Sequence, residues 1–118
     1  LVAQRERIVR TGCLTIDLDA RTVHVAGKEI VLAPREWAVL VYLVERIGQW
    51  VTSREILVAV WGAEWINPAF LSRRGDRSDI RPVTVTCARL RQRLGVAGRL
   101  IVTPTGRSIR RLEQVAPP

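Results

Sequence analysis

A chain of 118 residues, nearly half of them apolar, has room for one domain with a small core, and 19 basic against 11 acidic side chains leave it at a formal +8. No apolar run is long enough to span a membrane and no basic, apolar, small-residue order marks a secretory signal, so a cytoplasmic location without membrane contact is expected. Cys13 and Cys87 are too few and too far apart for a disulfide framework, and with His24 as the one histidine no Cys/His zinc cluster can be assembled; no metal or other cofactor is implied.

Residues 1–11 read as a linker or N-terminal extension, the charged run 4–10 being either linker or a frayed first strand. The chain starts at Leu1 and contains no Met, as expected of a piece cut from a longer protein. The domain proper is expected over 12–112. Three short runs with alternating or β-branched residues come first, 13–18, 22–26 and 29–32, separated by Asp17-Leu18-Asp19-Ala20 and Gly27-Lys28; three antiparallel strands are the economical reading. Ala33-Pro34-Arg35-Glu36 opens a helix with proline at its first position and an acid in its first turn. Its core stripe is Trp37, Leu40, Val44 and Ile47, and Gly48 ends it. A second helix starts at Thr52, whose hydroxyl can cap while Glu55 reaches back to close a capping box. Ile56, Leu57, Val60 and Trp61 make its buried face, and Gly62 stops it.

The stretch 63–80 is irregular, with Asn67-Pro68, Arg73-Arg74-Gly75-Asp76 and Ser78-Asp79 arguing against one long regular element, and it is long for a connection inside a compact domain. It also carries Trp65, Ile66, Phe70 and Leu71, so part of it is expected to pack as a short helical turn. A third helix spans 82–94 and ends at Gly95. Val83, Cys87, Leu90 and Leu94 lie on one face of it, leaving Thr84, Val85, Ala88, Arg89 and Gln92 outward. Residues 100–103 and 108–112 read as a hairpin turned by Thr105-Gly106-Arg107, and 113–118 as a tail. The fold class is α+β.

From Arg81 to Leu112 the chain carries eight arginines and no acid, whereas residues 1–80 hold eleven basic and ten acidic side chains. One-sided charge concentrates a polyanion; evenly spread charge mostly supports solubility. Eighteen arginines against one lysine also fit a biased codon composition, so placement has to decide. Two helices joined to a third that presents short side chains and arginines are how a helix-turn-helix variant reads a major groove. Arg89 is the best direct reader, because its planar fork can bond both acceptors of a guanine edge; the alternative is a solvated arginine. Thr84 can bond a base or touch a thymine methyl, or be only a tolerated first-turn residue. Arg91 and Arg93 flank the apolar face and suit phosphates, although the same spacing suits stems laid over the core edge. Arg107 and Arg110 lie in the hairpin, where an arginine can enter the minor groove or clasp a phosphate across it, while Arg111 has the opposite strand parity and points elsewhere. Arg35 and Thr52 stand at helix starts, where capping outweighs phosphate binding. Trp65, Phe70, Arg73, Arg74 and Arg77 make the 63–80 loop an expected protein contact surface, since aromatics and arginines favour interface centres; packing on the core or simple solubility are the competing readings.

Catalysis finds little support. His24 is isolated in a strand segment, no nucleophile–base pairing occurs at motif spacing, and Gly-rich phosphate loops and metalloprotease spacings are absent. Trp37 and Trp61 fall on core stripes, Trp50 closes the bend between helices, and Trp65 is the tryptophan left for an exposed contact.

In sequence order, Gly12-Cys13-Leu14 leading to Asp17, Gly27 before Leu32, Leu32 with Glu36-Trp37 and Leu40, and Val60-Trp61-Gly62 resemble the winged-helix DNA-binding effector domain of the OmpR/PhoB class of bacterial response regulators. Val83, Val85, Cys87, Leu90, Arg91, Arg93, Leu94 and Gly95 follow that family's recognition helix; Ile101, Thr103, Gly106 and Ile109 follow its wing. The resemblance implies a four-stranded N-terminal sheet, three helices and a C-terminal hairpin, with the third helix in the major groove and the hairpin in the minor groove. It implies a transcription factor that binds direct repeats as a head-to-tail dimer, usually behind a phosphorylatable receiver domain. The family's base-contacting positions fall on Thr84 and Arg89, its phosphate contacts on Thr86, Arg91 and Arg93, its wing arginine on Arg110. Its RNA polymerase-facing loop falls on 65–79.

Departures modify the expectation. Ser53 stands where an arginine is common, Thr84 where an acid is common and Thr86 where a histidine is frequent, so the preferred DNA sequence should differ from that of typical members. Pro104-Thr105 replace a common valine and arginine, Ser108 and Ile109 replace the second glycine and tyrosine of the wing, and the 63–80 loop is longer than usual, which fits an atypical member. The expected function is sequence-specific binding of double-stranded DNA in transcriptional regulation, by the C-terminal effector domain of a larger bacterial regulator. The competing class is a protein-interaction module on the same scaffold.

Overall fold

Residues 7–62, 80–104 and 109–115 are described by the computed structural model. Four strands pair antiparallel in chain order: β1 (Ile8–Thr11), β2 (Leu14–Asp17), β3 (Thr22–Val25) and β4 (Lys28–Ile30). The segment read as linker or frayed strand thus supplies an edge strand, with Ile8 opposite Asp17 and Thr11 opposite Leu14. Gly12, at φ +56°, permits the tight connection from β1 to β2. Leu14 and Ile16 of β2 and Val23 and Val25 of β3 alternate onto one buried face. Between these strands the Asp17 carboxylate accepts the backbone N–H groups of Asp19 and Ala20 at 3.1 and 3.0 Å, which closes the turn through a side chain.

Helix α1 (Pro34–Glu45) begins where the sequence places it and buries Val39, Leu40, Leu43 and Val44. Trp37 and Ile47, expected on the stripe, sit half-buried at its margin. Strand β5 (Val51–Thr52) precedes α2 (Ser53–Ile56), which continues as a π-helical turn, Leu57–Trp61, up to Gly62. The capping box is present in both directions: Thr52 Oγ1 accepts the Glu55 N–H at 3.0 Å and Glu55 Oε1 accepts the Thr52 N–H at 2.8 Å. Thr52→Ala should therefore cost about 1 kcal/mol of stability, read from the shift in urea midpoint at unchanged slope.

Helix α3 (Arg81–Leu94) buries Val83, Cys87, Leu90 and Leu94, the four residues singled out by spacing. A 3-10 segment, Gly95–Leu100, then folds back on α3. It does so closely enough that a Cβ on Gly98 would stand 2.5 Å from the Arg91 carbonyl oxygen. Strands β6 (Ile101–Val102) and β7 (Ile109–Leu112) pair antiparallel as the stem of the hairpin. β7 also pairs with β5, Val51 opposite Arg110 and Thr52 opposite Ile109, so the hairpin is part of a three-stranded sheet in the order β5-β7-β6. The start of the segment read as a tail is stitched to β1: Thr11 Oγ1 donates to the Glu113 carbonyl at 2.5 Å and accepts the Val115 N–H at 2.8 Å.

One apolar cluster joins the first sheet, α1, α2, α3 and the hairpin stem, so the outer surface of α3 is held against a continuous support. The expected hairpin turn, Thr105-Gly106-Arg107, with Ser108 after it, and residues 63–79 of the expected loop lie outside the described residues. No described helix is long and apolar enough to cross a membrane, and no group of His, Cys, Asp and Glu among the described residues could hold a metal ion.

Candidate nucleic-acid interface

At about 100° per residue, the buried stripe of α3 dictates what the rest of the helix presents. Opposite the stripe lie Val85, Ala88, Arg89 and Gln92, all exposed. Thr84 and Arg91 fall on one flank, Thr86 and Arg93 on the other. An outward strip with arginines on both shoulders has the shape needed to enter a groove bordered by two phosphate backbones. Arg89 is exposed and has no partner among the described residues, so its donors are available to a ligand. The Thr84 hydroxyl is exposed and donates to the Ile80 carbonyl at 3.3 Å, which leaves its oxygen able to accept. Thr86 is half-buried and Arg91 exposed.

Arg93 is more constrained than its sequence context suggests. It forms an ion pair with Glu36, Nε to Oε1 2.7 Å; the arginine side chain is 50% exposed and that of the glutamate 4%. Val85, assigned outward but given no role from the sequence, is an exposed valine at the centre of the strip. The signal that would have found it is an apolar residue on the polar side of an otherwise clean amphipathic pattern.

One hairpin arginine is placed differently from expectation. Arg110, read as the wing arginine, is only 5% exposed, and its Nη1 donates to Ser53 Oγ at 2.8 Å while its Nε has no partner among the described residues. The physical reason is strand alternation: Arg110 shares its parity with Leu112, and both are buried while Ile109 and Arg111 are half-buried. Arg111 packs over the exposed Trp50 ring at 4.3 Å and its Nε donates to Glu113 Oε2 at 3.0 Å. Arg35 lies over the Trp61 ring at 4.9 Å, so it serves packing at the start of α1. Arg107, Trp65, Arg73, Arg74 and Arg77 lie outside the described residues.

Cys87 sits under this surface, on the buried face of α3. Burial raises its thiol above the ordinary 9.0, and the Arg110 and Arg91 charges only partly oppose that. The thiol stays neutral to higher pH in the fold than in the unfolded chain, so the stability it contributes is complete below about 9 and is lost as pH rises through the folded value. At pH 8, iodoacetamide should label the half-buried Cys13 and spare Cys87 until denaturant is added, a difference that peptide mass mapping reads directly.

Residues 27–110 match the protein family described as "Transcriptional regulatory protein, C terminal". Over 55 residues the chain is 36% identical to the KDP operon transcriptional regulatory protein KdpE of Escherichia coli (strain K12), an alignment covering 47% of this chain and 24% of that relative. Among solved structures it is similar to the response regulator DrrB, a Thermotoga maritima OmpR/PhoB homolog, at TM-score 0.68 and 25% identity over 92% of this chain and 44% of DrrB. It shares its fold with the RstA DNA-binding domain of Klebsiella pneumoniae, solved in complex with the RstA box, at TM-score 0.64 and 24% identity, covering 87% of this chain and 94% of that one. The chain thus spans less than half the length of KdpE and of DrrB. With the family match extending from the end of the first sheet to the hairpin, and with that sheet, three described helices and the hairpin stem assembled in this order, the chain belongs to the transcriptional regulatory C-terminal family and has the winged-helix fold of an OmpR/PhoB-type effector domain.

Proposed function

We propose that the domain is the C-terminal effector of a larger cytoplasmic bacterial regulator and that it reads a duplex with α3 in the major groove, binding direct repeats as a head-to-tail dimer. The observation that carries this reading is the outward strip of α3, with Arg89 unpartnered among the described residues and Val85 exposed beside it. In this reading Arg89 forks onto a guanine edge, Thr84 bonds a base, and Val85 meets a thymine methyl. Thr86, Arg91 and Arg93 hold phosphates on the two shoulders, and Arg107 serves the minor groove from the hairpin turn. Arg110 takes no DNA contact in this assignment, because its burial against Ser53 leaves it unable to reach a groove without rearranging the hairpin stem.

Selection of bound duplexes from a genomic pool, followed by a salt series on the enriched site, tests the proposal. One recurrent motif is expected, in direct repeat, with log affinity falling by about 0.9 per displaced counterion. No enrichment together with salt-insensitive binding would transfer the domain to the protein-interaction class. The 63–80 loop, through Trp65, Arg73, Arg74 and Arg77, is proposed to contact RNA polymerase. Deletion of residues 72–77 should spare DNA affinity and abolish regulation in a reconstituted transcription assay; parallel loss of DNA affinity would assign the loop to the duplex.

A further inference from the structure

Among the described residues Glu36 is the only buried carboxylate, at 3% exposure. Its Oε1 accepts the Ala33 backbone N–H at 3.0 Å and forms an ion pair with Arg93, with Nε at 2.7 Å. Capping α1 requires only the first. Glu55 makes the point, because it caps α2 in the same way while remaining exposed and paired with no arginine among the described residues. The burial of Glu36 against α3 therefore has a consequence for Arg93 that capping does not explain.

A guanidinium is planar, so a buried carboxylate paired with it at Nε limits the directions in which both Nη groups can point. Arg93 is half-exposed and its Nη groups have no partner among the described residues. It occupies the α3 shoulder on the side of α1, across the outward strip from Arg91. We propose that Glu36 is a positioning residue for DNA binding: it clamps the Arg93 fork so that the Nη donors are presented to a backbone phosphate before DNA arrives. This rests on the assignment of Arg93 to a phosphate. The gain comes from pre-organisation, since a long side chain already held in its bound direction loses less freedom on association.

Charge and position predict opposite signs for removal of the carboxylate. An acid bordering a basic surface repels a polyanion, so by field alone a neutral residue at this position should strengthen DNA binding. By positioning it should weaken binding. Glu36→Gln keeps an acceptor for the Ala33 N–H and removes the charge. On the selected duplex, Arg93→Ala should lose affinity and flatten the salt slope by about 0.9. Glu36→Gln should lose on the order of two- to tenfold in affinity, with its thermal midpoint followed in parallel. In the Arg93→Ala background the same change should cause no further loss. Tighter or unchanged binding by Glu36→Gln, or an equal loss in both backgrounds, overturns the positioning role. An Arg93→Ala variant with unchanged affinity and slope overturns the phosphate assignment itself, whatever Glu36→Gln does.

Discussion

Leu90→Ala should lower the unfolding free energy by about 2–5 kcal/mol, the range for deleting a fully buried leucine and leaving a cavity. Leu90 is 0% exposed, in the middle of the α3 stripe, and the helix packs against both α1 and α2. Those elements are held by covalent connections and by the two sheets, so they cannot close up freely on the space of three lost carbon atoms. A domain of this size has about 5–15 kcal/mol to lose in total, which makes this single truncation a large fraction of the whole. Urea denaturation followed by circular dichroism gives the value. Val85→Ala, on the opposite side of the same helix, is the control and should stay within about 0.5 kcal/mol of the parent. Equal losses for the two would mean that α3 is not seated by the stripe that the packing indicates.

Arg89→Ala should leave the stability nearly unchanged and cost about 1–3 kcal/mol in binding to the preferred duplex, while relaxing one position of the sequence preference. The asymmetry follows from its surroundings: the side chain is exposed and makes no bond within the described residues, so the folded state loses nothing with it. A base edge left facing alanine loses two hydrogen bonds that another sequence did not offer, which is why the loss should depend on the site. Titration of the enriched duplex and of a random duplex at one salt concentration separates the cases. Equal losses on both would move Arg89 to the phosphate-binding class with Arg91.

What local chemistry governs was legible in the chain. The stripe Val83, Cys87, Leu90, Leu94 placed α3 within a residue of its observed start, because four apolar side chains at helical spacing can be buried together in only one way. Thr52 and Glu55 marked the start of α2 for an equally local reason: the partners of a capping box are three residues apart. The outward face of α3, and so Thr84 and Arg89 as candidate readers, followed from the same geometry.

Pairings between distant segments were decided only by the tertiary structure. β1 is an edge strand, and its charged lead-in resembled a linker because one side of an edge faces water. β5 is two residues long, too short to carry a period, and exists because β7 offers it a ladder. Arg110 turned inward because the neighbouring Leu112 is buried and alternation carries both to one face, where Ser53, distant in sequence, supplies the acceptor. Glu36 could be read as a first-turn acid, but not as the partner of Arg93, since that ion pair exists only once α1 and α3 are packed together. Periodicity and capping are properties of neighbours in sequence; register, burial of charge and the aim of a guanidinium depend on which surfaces meet, and that is settled when the elements pack.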